Sequence, residues 1–298
     1  MRRCLTGLLV LSGLSLAAFQ DAPPISFDVA SVKANHNALD ADPPRSNFAL
    51  GPGNVYVKNG GYFSAANQPF TVYFGFAYRL MANERELVLP QLPEWASTER
   101  FDIQGRSPGH DTKDEMRLMM RSLLAERFKL KFHYETRQVP VYAAVLAKPG
   151  VTGPMLQPHP AAATCSTTDP HPVTAADLPA SMAKLIDAMP NLCGGLFPIP
   201  STSQGTRRMG ARDITMGFFV NSFSLYGDLG KPTIDRTELK GTYDIAMEWS
   251  NEDKLPNGEP AGPSFQEALK QQLGLKLESQ KGPIQVMIID HLERPAGN

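Results

Sequence analysis

Arg100-Phe101-Asp102-Ile103 and, 142 residues later, Thr242-Tyr243-Asp244-Ile245 decide how this chain is read. Each tetrapeptide opens the same series. The first continues through a helix-like run to Arg127-Phe128-Lys129-Leu130-Lys131-Phe132, then to Pro140-Val141-Tyr142-Ala143-Ala144-Val145. The second continues through another helix-like run to Gln272-Leu273-Gly274-Leu275-Lys276-Leu277, then to Pro283-Ile284-Gln285-Val286-Met287-Ile288. Matched positions keep an offset of 142 to 145 residues. Self-similarity at a fixed spacing marks a repeated supersecondary unit. The match also extends upstream. Ser64-Ala65-Ala66-Asn67 before a Phe/Tyr helix corresponds to Gly210-Ala211-Arg212-Asp213 before Met216, Phe219, Val220 and Phe223.

Local signals fill in the unit. Phe70, Tyr73, Phe74, Ala77 and Tyr78 recur at helical spacing and predict a helix from Gln68 to about Leu80, its aromatic stripe facing a core in preference to a ligand groove. Phe101 to Gln104 reads as a strand. Thr112 with Glu115, and Ser264 with Glu267, each form the Ser/Thr-x-x-Glu pattern in which hydroxyl and carboxylate satisfy orphan N–H groups at a helix start. Gly274 stands where the second helix should stop. Two strands are then expected after each helix: Leu130 to Tyr134 and Val141 to Ala147, and Lys276 to Glu278 and Ile284 to Asp290, with a turn at Lys281-Gly282-Pro283. The predicted class is α+β: two duplicated helix-strand-helix-strand-strand lobes, each a small mixed or antiparallel sheet covered by helices. The first lobe is placed at 24–148 and the second at 207–298, with a Pro/Ala/Thr-rich linker at 149–206 that includes a short helix from Ala180 to Met189. Ahead of the first helix, Ile25 to Val32 alternates as a strand, and Asn35 to Asn54 is loop-like.

The N-terminus carries the pattern of an export signal over residues 1–18. Arg2 and Arg3 precede an apolar run from Leu5 to Leu16, and Ser15 and Ala17 hold the small-residue cleavage spacing. About a dozen apolar residues are too few to span a bilayer, which needs around 20, so a soluble exported protein is expected over an anchored one. The location implied is periplasmic or extracellular. Past the signal, Cys165 and Cys193 remain, and a lone pair in an oxidising compartment is expected to form one disulfide; a metal pair or catalytic thiol is the alternative. Basic and acidic residues number 29 and 30, so nothing in the charge points to nucleic acid.

Several stretches resemble a known family. They are Phe27-Asp28-Val29-Ala30-Ser31-Val32-Lys33, Leu123 to Leu130, Glu135 to Tyr142, Gly230 to Thr237, Gly241-Thr242-Tyr243-Asp244, and the closing Ile288-Ile289-Asp290-His291-Leu292-Glu293-Arg294-Pro295. Together they are similar to the soil-associated acidobacterial family, a domain of unknown function. Thr237-Glu238-Leu239-Lys240-Gly241 departs from that family's usual Thr-Gly-Leu-Thr-Gly. The resemblance implies a domain also found at extracytoplasmic ends of sensor peptidases, in a family with no established activity. The repeat unit also resembles the short N-terminal module of secretins and TonB-dependent receptors, at the level of fold alone.

Chemistry leaves little trace. No G-x-S-x-G elbow occurs, the six His residues form neither HxH nor HExxH, and no glycine loop is followed by Lys-Ser/Thr. No His stands at ligand spacing beside either cysteine. No catalytic, metal-binding or cofactor-binding residue is therefore assigned, and no cofactor is expected. Asp102 and Asp244 stand at matched positions, which fits a paired-carboxylate mechanism or, preferably, a shared structural role. The function expected is a non-catalytic extracytoplasmic binding, sensing or interaction module for an envelope protein, peptide or glycan, with no membrane span. Its terminal strands offer edges for a partner, and Trp95 and Trp249 are either anchors or core residues. The alternative is a hydrolase at the junction of the lobes using Asp235, Asp244 and His291. Two titratable groups within hydrogen-bond reach would favour it.

Overall fold

The computed structural model describes residues 25–110, 112–163, 165–166, 192–250, 259 and 261–295. The expected signal at 1–18, Cys4 and the expected helix from Ala180 to Met189 lie outside the described residues. In chain order the elements are β1 (Val29–Asn35), β2 (Arg45–Ser46), β3 (Tyr62–Pro69), α1 (Phe70–Ala77), α2 (Ala82–Val88), α3 (Trp95–Thr98), β4 (Arg100–Arg106), α4 (Lys113–Arg127) and β5 (Lys131–Leu146). They continue with β6 (Leu156–Pro158), β7 (Gly195–Ile199), β8 (Thr206–Ile214), α5 (Met216–Asn221), α6 (Phe223–Gly227), β9 (Thr233–Asp235), β10 (Tyr243–Ser250), α7 (Phe265–Leu273) and β11 (Leu275–His291). The class is α+β with three small sheets, in the strand orders β1-β4-β3-β2, β6-β10-β8-β7 and β11-β5-β9.

Both capping boxes form. The Thr112 hydroxyl accepts from the Glu115 N–H while the Glu115 carboxylate accepts from the Thr112 N–H, and Ser264 and Glu267 repeat the exchange at the start of α7. Behind the first cap, Met116, Met119, Met120, Leu123 and Leu124 face inward, and α4 stops at Phe128 with Lys129 left-handed at φ 53°. Gly274 ends α7 at φ 71°, the matched position. That glycine is required twice over. Besides the left-handed backbone, a Cβ there would stand 2.6 Å from the Gly153 nitrogen.

Two expectations fail for physical reasons. The helix expected from Gln68 begins at Phe70, because Tyr62–Pro69 is a strand. Its core face is carried by Phe63, Ala65 and Asn67, of which Phe63 alone is a large hydrophobe, too few for hydrophobic periodicity to reveal. The second failure concerns the paired strands expected after each helix. Each pair is one continuous strand, and β5 and β11 pair with each other antiparallel over their whole length instead of folding back. No turn forms at Lys281-Gly282-Pro283, which lies opposite Pro140, Val139 and Gln138. Gly282 marks a close approach, since a Cβ there would meet Val141 Cγ2 at 2.9 Å.

The prolines fit by parity. The Tyr142 N–H donates to the Pro232 carbonyl on the β9 side, away from β11. N–H directions alternate along a strand, so Pro140, two residues earlier, turns its missing donor the same way. Pro283 pairs with Gln138 in the same phase, and the ladder loses nothing at either proline.

The long pair ties together two cores. The first is built from β3, β4, α1 and α4, with Phe128 touching Phe70, Trp95 and Phe101, and it takes in Met287 and Ile289 from the far end of β11. The second is built from β8, β10, α5, α6 and α7, and it takes in Ala144 and Leu146 from the far end of β5. Each long strand thus starts in one core and ends in the other, so the terminal strands expected within each lobe form instead a third sheet drawn from both halves. The segment expected as linker also contributes β6 and β7 to the second sheet.

Candidate functional site

β10 enters the second sheet at Tyr243, and the pairing with β8 slips by one residue between Tyr243 and Ile245. Asp213 absorbs the slip in a left-handed conformation at φ 52°, which Asp tolerates better than most residues. Its N–H leaves the ladder and donates to Asp244 Oδ1 at 3.1 Å. The same Oδ1 lies 2.7 Å from His159 Nδ1, and Oδ2 lies 3.7 Å from Arg212 Nη1. His159 is placed by the strand just before it. Its own N–H donates to the Thr242 carbonyl at 2.9 Å, which docks the end of β6 beside the start of β10. The imidazole is largely buried, with 9% of the side chain exposed.

The disulfide adjoins this group. Cys165 and Cys193 are bonded, with Cα atoms 5.3 Å apart. The Cys193 N–H donates to the Ser166 carbonyl at 2.7 Å, and the Gly194 N–H donates to the Arg212 carbonyl at 2.9 Å. A ring nitrogen of His159, Cys165 Sγ and a carboxylate oxygen of Asp213 lie within 4.8 Å of one another. The spacing of six residues between His159 and Cys165 carried no signal in the sequence, because no regular element links them.

Asp102, matched to Asp244, shares its backbone role. β3 and β4 slip between Ala65 and Gln68, and Asn67 is left-handed at φ 53°. Its N–H donates to Asp102 Oδ1 at 2.9 Å, and Asn35 Nδ2 donates to the same oxygen at 2.8 Å. Each aspartate therefore receives the N–H that a strand irregularity expels. The matching of Asn67 with Asp213 was the sequence signal for this device, as both residue types favour left-handed backbone.

The residues proposed for hydrolysis are each engaged locally. Asp235 Oδ1 accepts from the Thr237 N–H at 2.9 Å and from its hydroxyl at 2.7 Å, which closes a tight turn after β9. His291 Nε2 meets Glu293 Oε1 at 2.6 Å on the surface. Asp244 finds its imidazole in His159 instead. Both tryptophans belong to cores: Trp95 and Trp249 are 8% and 4% exposed, so the anchor alternative is corrected.

Two further clusters stand out. Lys113, Arg117 and Arg79 converge on the loop at 51–54, where Lys113 Nζ donates to the Gly53 carbonyl at 2.7 Å, Arg117 Nη2 to the same carbonyl at 2.9 Å and Arg79 Nε to that of Pro52 at 2.9 Å. Burial pushes the Lys113 amine down to about 7, with Arg117 and Arg79 adding to the effect. These donors are spent on holding a loop. The other cluster is aromatic. Phe132 lies 4.9 Å from Tyr78 and 5.5 Å from Tyr134, Arg121 stacks over Tyr78 at 5.1 Å, and Tyr134 is 55% exposed.

The edges of the long pair are partly guarded. The Gln91 amide donates to the Met287 carbonyl at 3.0 Å and accepts from the Ile289 N–H at 3.2 Å, as a neighbouring strand would. Pro283 and Pro140 interrupt the donors along the outer edges of β11 and β5. Among the described residues, no helix is long and apolar enough to cross a membrane.

The fold is α+β, and Asp102 and Asp244 each accept a backbone N–H at a strand irregularity. The chain belongs to the family described as "Protein of unknown function (DUF3738)", which matches residues 72–292. No curated protein and no solved structure matches it.

Proposed function

We propose that this chain is a non-catalytic extracytoplasmic binding module, built from two duplicated lobes, that engages an envelope protein, peptide or glycan. One observation carries the reading. Tyr134, 55% exposed on β5, stands against Phe132, which together with Tyr78 at the end of α1 packs on the first core, and Arg121 lies over the Tyr78 ring. A rigid, half-exposed aromatic beside a cation suits a peptide or sugar ring at low entropic cost. Continuous strand addition is the less favoured mode, because prolines and Gln91 interrupt both edges. The matched series of strand, helix, strand, helix and strand supports duplication. Cys165–Cys193 supports an oxidising compartment and hence export. The soil-associated acidobacterial kinship and the occurrence beside sensor peptidases, both implied by the resemblance, fit a sensing role.

Titration of envelope-derived peptides and glycans against the wild type and Tyr134→Ala tests this. Saturable binding weakened about tenfold or more by Tyr134→Ala, with the melting temperature unchanged, is the expected result. Equal binding by the two proteins would remove the aromatic face from consideration.

A second reading, an extracytoplasmic hydrolase, is favoured by a single contact, His159 Nδ1 to Asp244 Oδ1 at 2.7 Å. Turnover of peptides or esters that disappears in His159→Ala would replace the binding reading with this one.

A further inference from the structure

We propose that opening the Cys165–Cys193 disulfide creates a site for one zinc-class divalent ion, held by Cys165, His159 and Asp213. The three ligand atoms already lie within 4.8 Å of one another. Around a tetrahedral ion with bonds of about 2.0–2.3 Å, ligand atoms stand roughly 3.3–3.8 Å apart, so the set closes with side-chain shifts of about 1 Å. A sulfur, an imidazole nitrogen and a carboxylate oxygen form a donor set that suits zinc better than calcium or magnesium. Three protein ligands would leave the fourth position open.

The surroundings favour the imidazole as a ligand. His159 Nδ1 is committed to Asp244 at 2.7 Å, which leaves the Nε2 lone pair for an ion. A carboxylate behind a histidine fixes the ring and makes it a stronger ligand. Asp244 also faces Arg212 at 3.7 Å and so offsets its charge. His159, Cys165 and Asp213 are all partly accessible, which gives an ion a path in.

The gate is the disulfide. A sulfur bonded to sulfur is a poor ligand, whereas the thiolate is a strong one. A dithiol reductant transfers two electrons and two protons: the Cys165–Cys193 bond breaks, two thiols form, and the reductant leaves as its own disulfide. Binding of the ion to Cys165 then releases the thiol proton and holds the reduced form open. The oxidised chain is closed to the ion and the reduced chain is open. This site does not depend on the aromatic face.

Cobalt(II) titration of the full chain in a Cys4→Ser background tests the proposal, since cobalt bound to thiolate absorbs in the near ultraviolet. After reduction with a phosphine and desalting, one equivalent should bind with that absorbance, and the oxidised protein should show none. Cys193→Ser frees Cys165 without any reductant and should show the same band. Cys165→Ser should abolish it, and His159→Gln should weaken binding about tenfold or more. Far-ultraviolet circular dichroism confirms that each variant is folded, and the reduced parent serves if Cys193→Ser is not. Absence of the band in both the reduced parent and Cys193→Ser overturns the proposal. So does a band that survives Cys165→Ser, or equal affinity in oxidised and reduced protein.

Discussion

Asp102 and Asp244 do the same work for the backbone and keep very different company. Asp102 receives the Asn67 N–H and the neutral amide of Asn35. Asp244 receives the Asp213 N–H too, but it also meets His159 and Arg212 near the disulfide. The shared part follows from the sheet, because a strand irregularity expels an N–H that needs an acceptor. Apart from Arg212 on β8, the unshared part comes from residues 149–206, which bring His159, Cys165 and Cys193 to the second half alone. The same backbone role is thus filled beside an imidazole, a guanidinium and a disulfide at Asp244 and beside the Asn35 amide at Asp102.

The comparison is broken most severely at the matched helix ends. Gly274→Ala forces a side chain into left-handed backbone against Gly153, and should cost about 2–4 kcal/mol in urea unfolding. An unaltered midpoint would show that β11 can shift to accept the methyl group. The aspartates come next. Asp102→Ala leaves the Asn67 N–H, in a residue fully shielded from water, without its acceptor and should cost about 1–3 kcal/mol. Asp244→Ala should cost less, because Asp213 is partly exposed and water can replace the carboxylate. The reverse order would mean that the His159 contact contributes more than the backbone one. Lys129→Gly should gain about 0.5–1 kcal/mol by making the first helix end like the second.

The smallest effect is a dependence on pH. Hydrogen bonds from Asp290 and then Glu135 raise the His133 pKa above its ordinary value of 6.5. A raised folded value means that the contribution is complete below 6.5 and is lost as pH rises through the folded value. Unfolding midpoints followed from pH 5 to 9 should therefore show a small decline in the wild type near and above 6.5 that His133→Gln lacks. Parallel profiles would show that the link between β5 and β11 at this point carries no net stability.

Much of the scaffold was legible beforehand. Thr112/Glu115, Ser264/Glu267 and Gly274 announced their helix ends through local chemistry, and the structure places each as read. The strand before α1 was not legible, since Ser64, Ala65 and Ala66 carry too little hydrophobic contrast to show a period of two. The candidate site was half legible. Asp244 stood out through its match with Asp102, but His159 lies in a Pro/Ala-rich stretch with no periodicity, and only the folded chain brings it to Asp244.

Sequence alone determined what depends on neighbours a few residues apart: the α+β character and the capped helices. Tertiary structure alone decided that four expected strands are two, that β5 and β11 cross between cores, and that His159 lies against Asp244 and near the disulfide. The reason is the same in each case. A strand's hydrogen-bond partners, unlike a helix's, lie outside the segment, so whether Lys281-Gly282-Pro283 turns or runs straight depends on Gln138, Val139 and Pro140 lying opposite it.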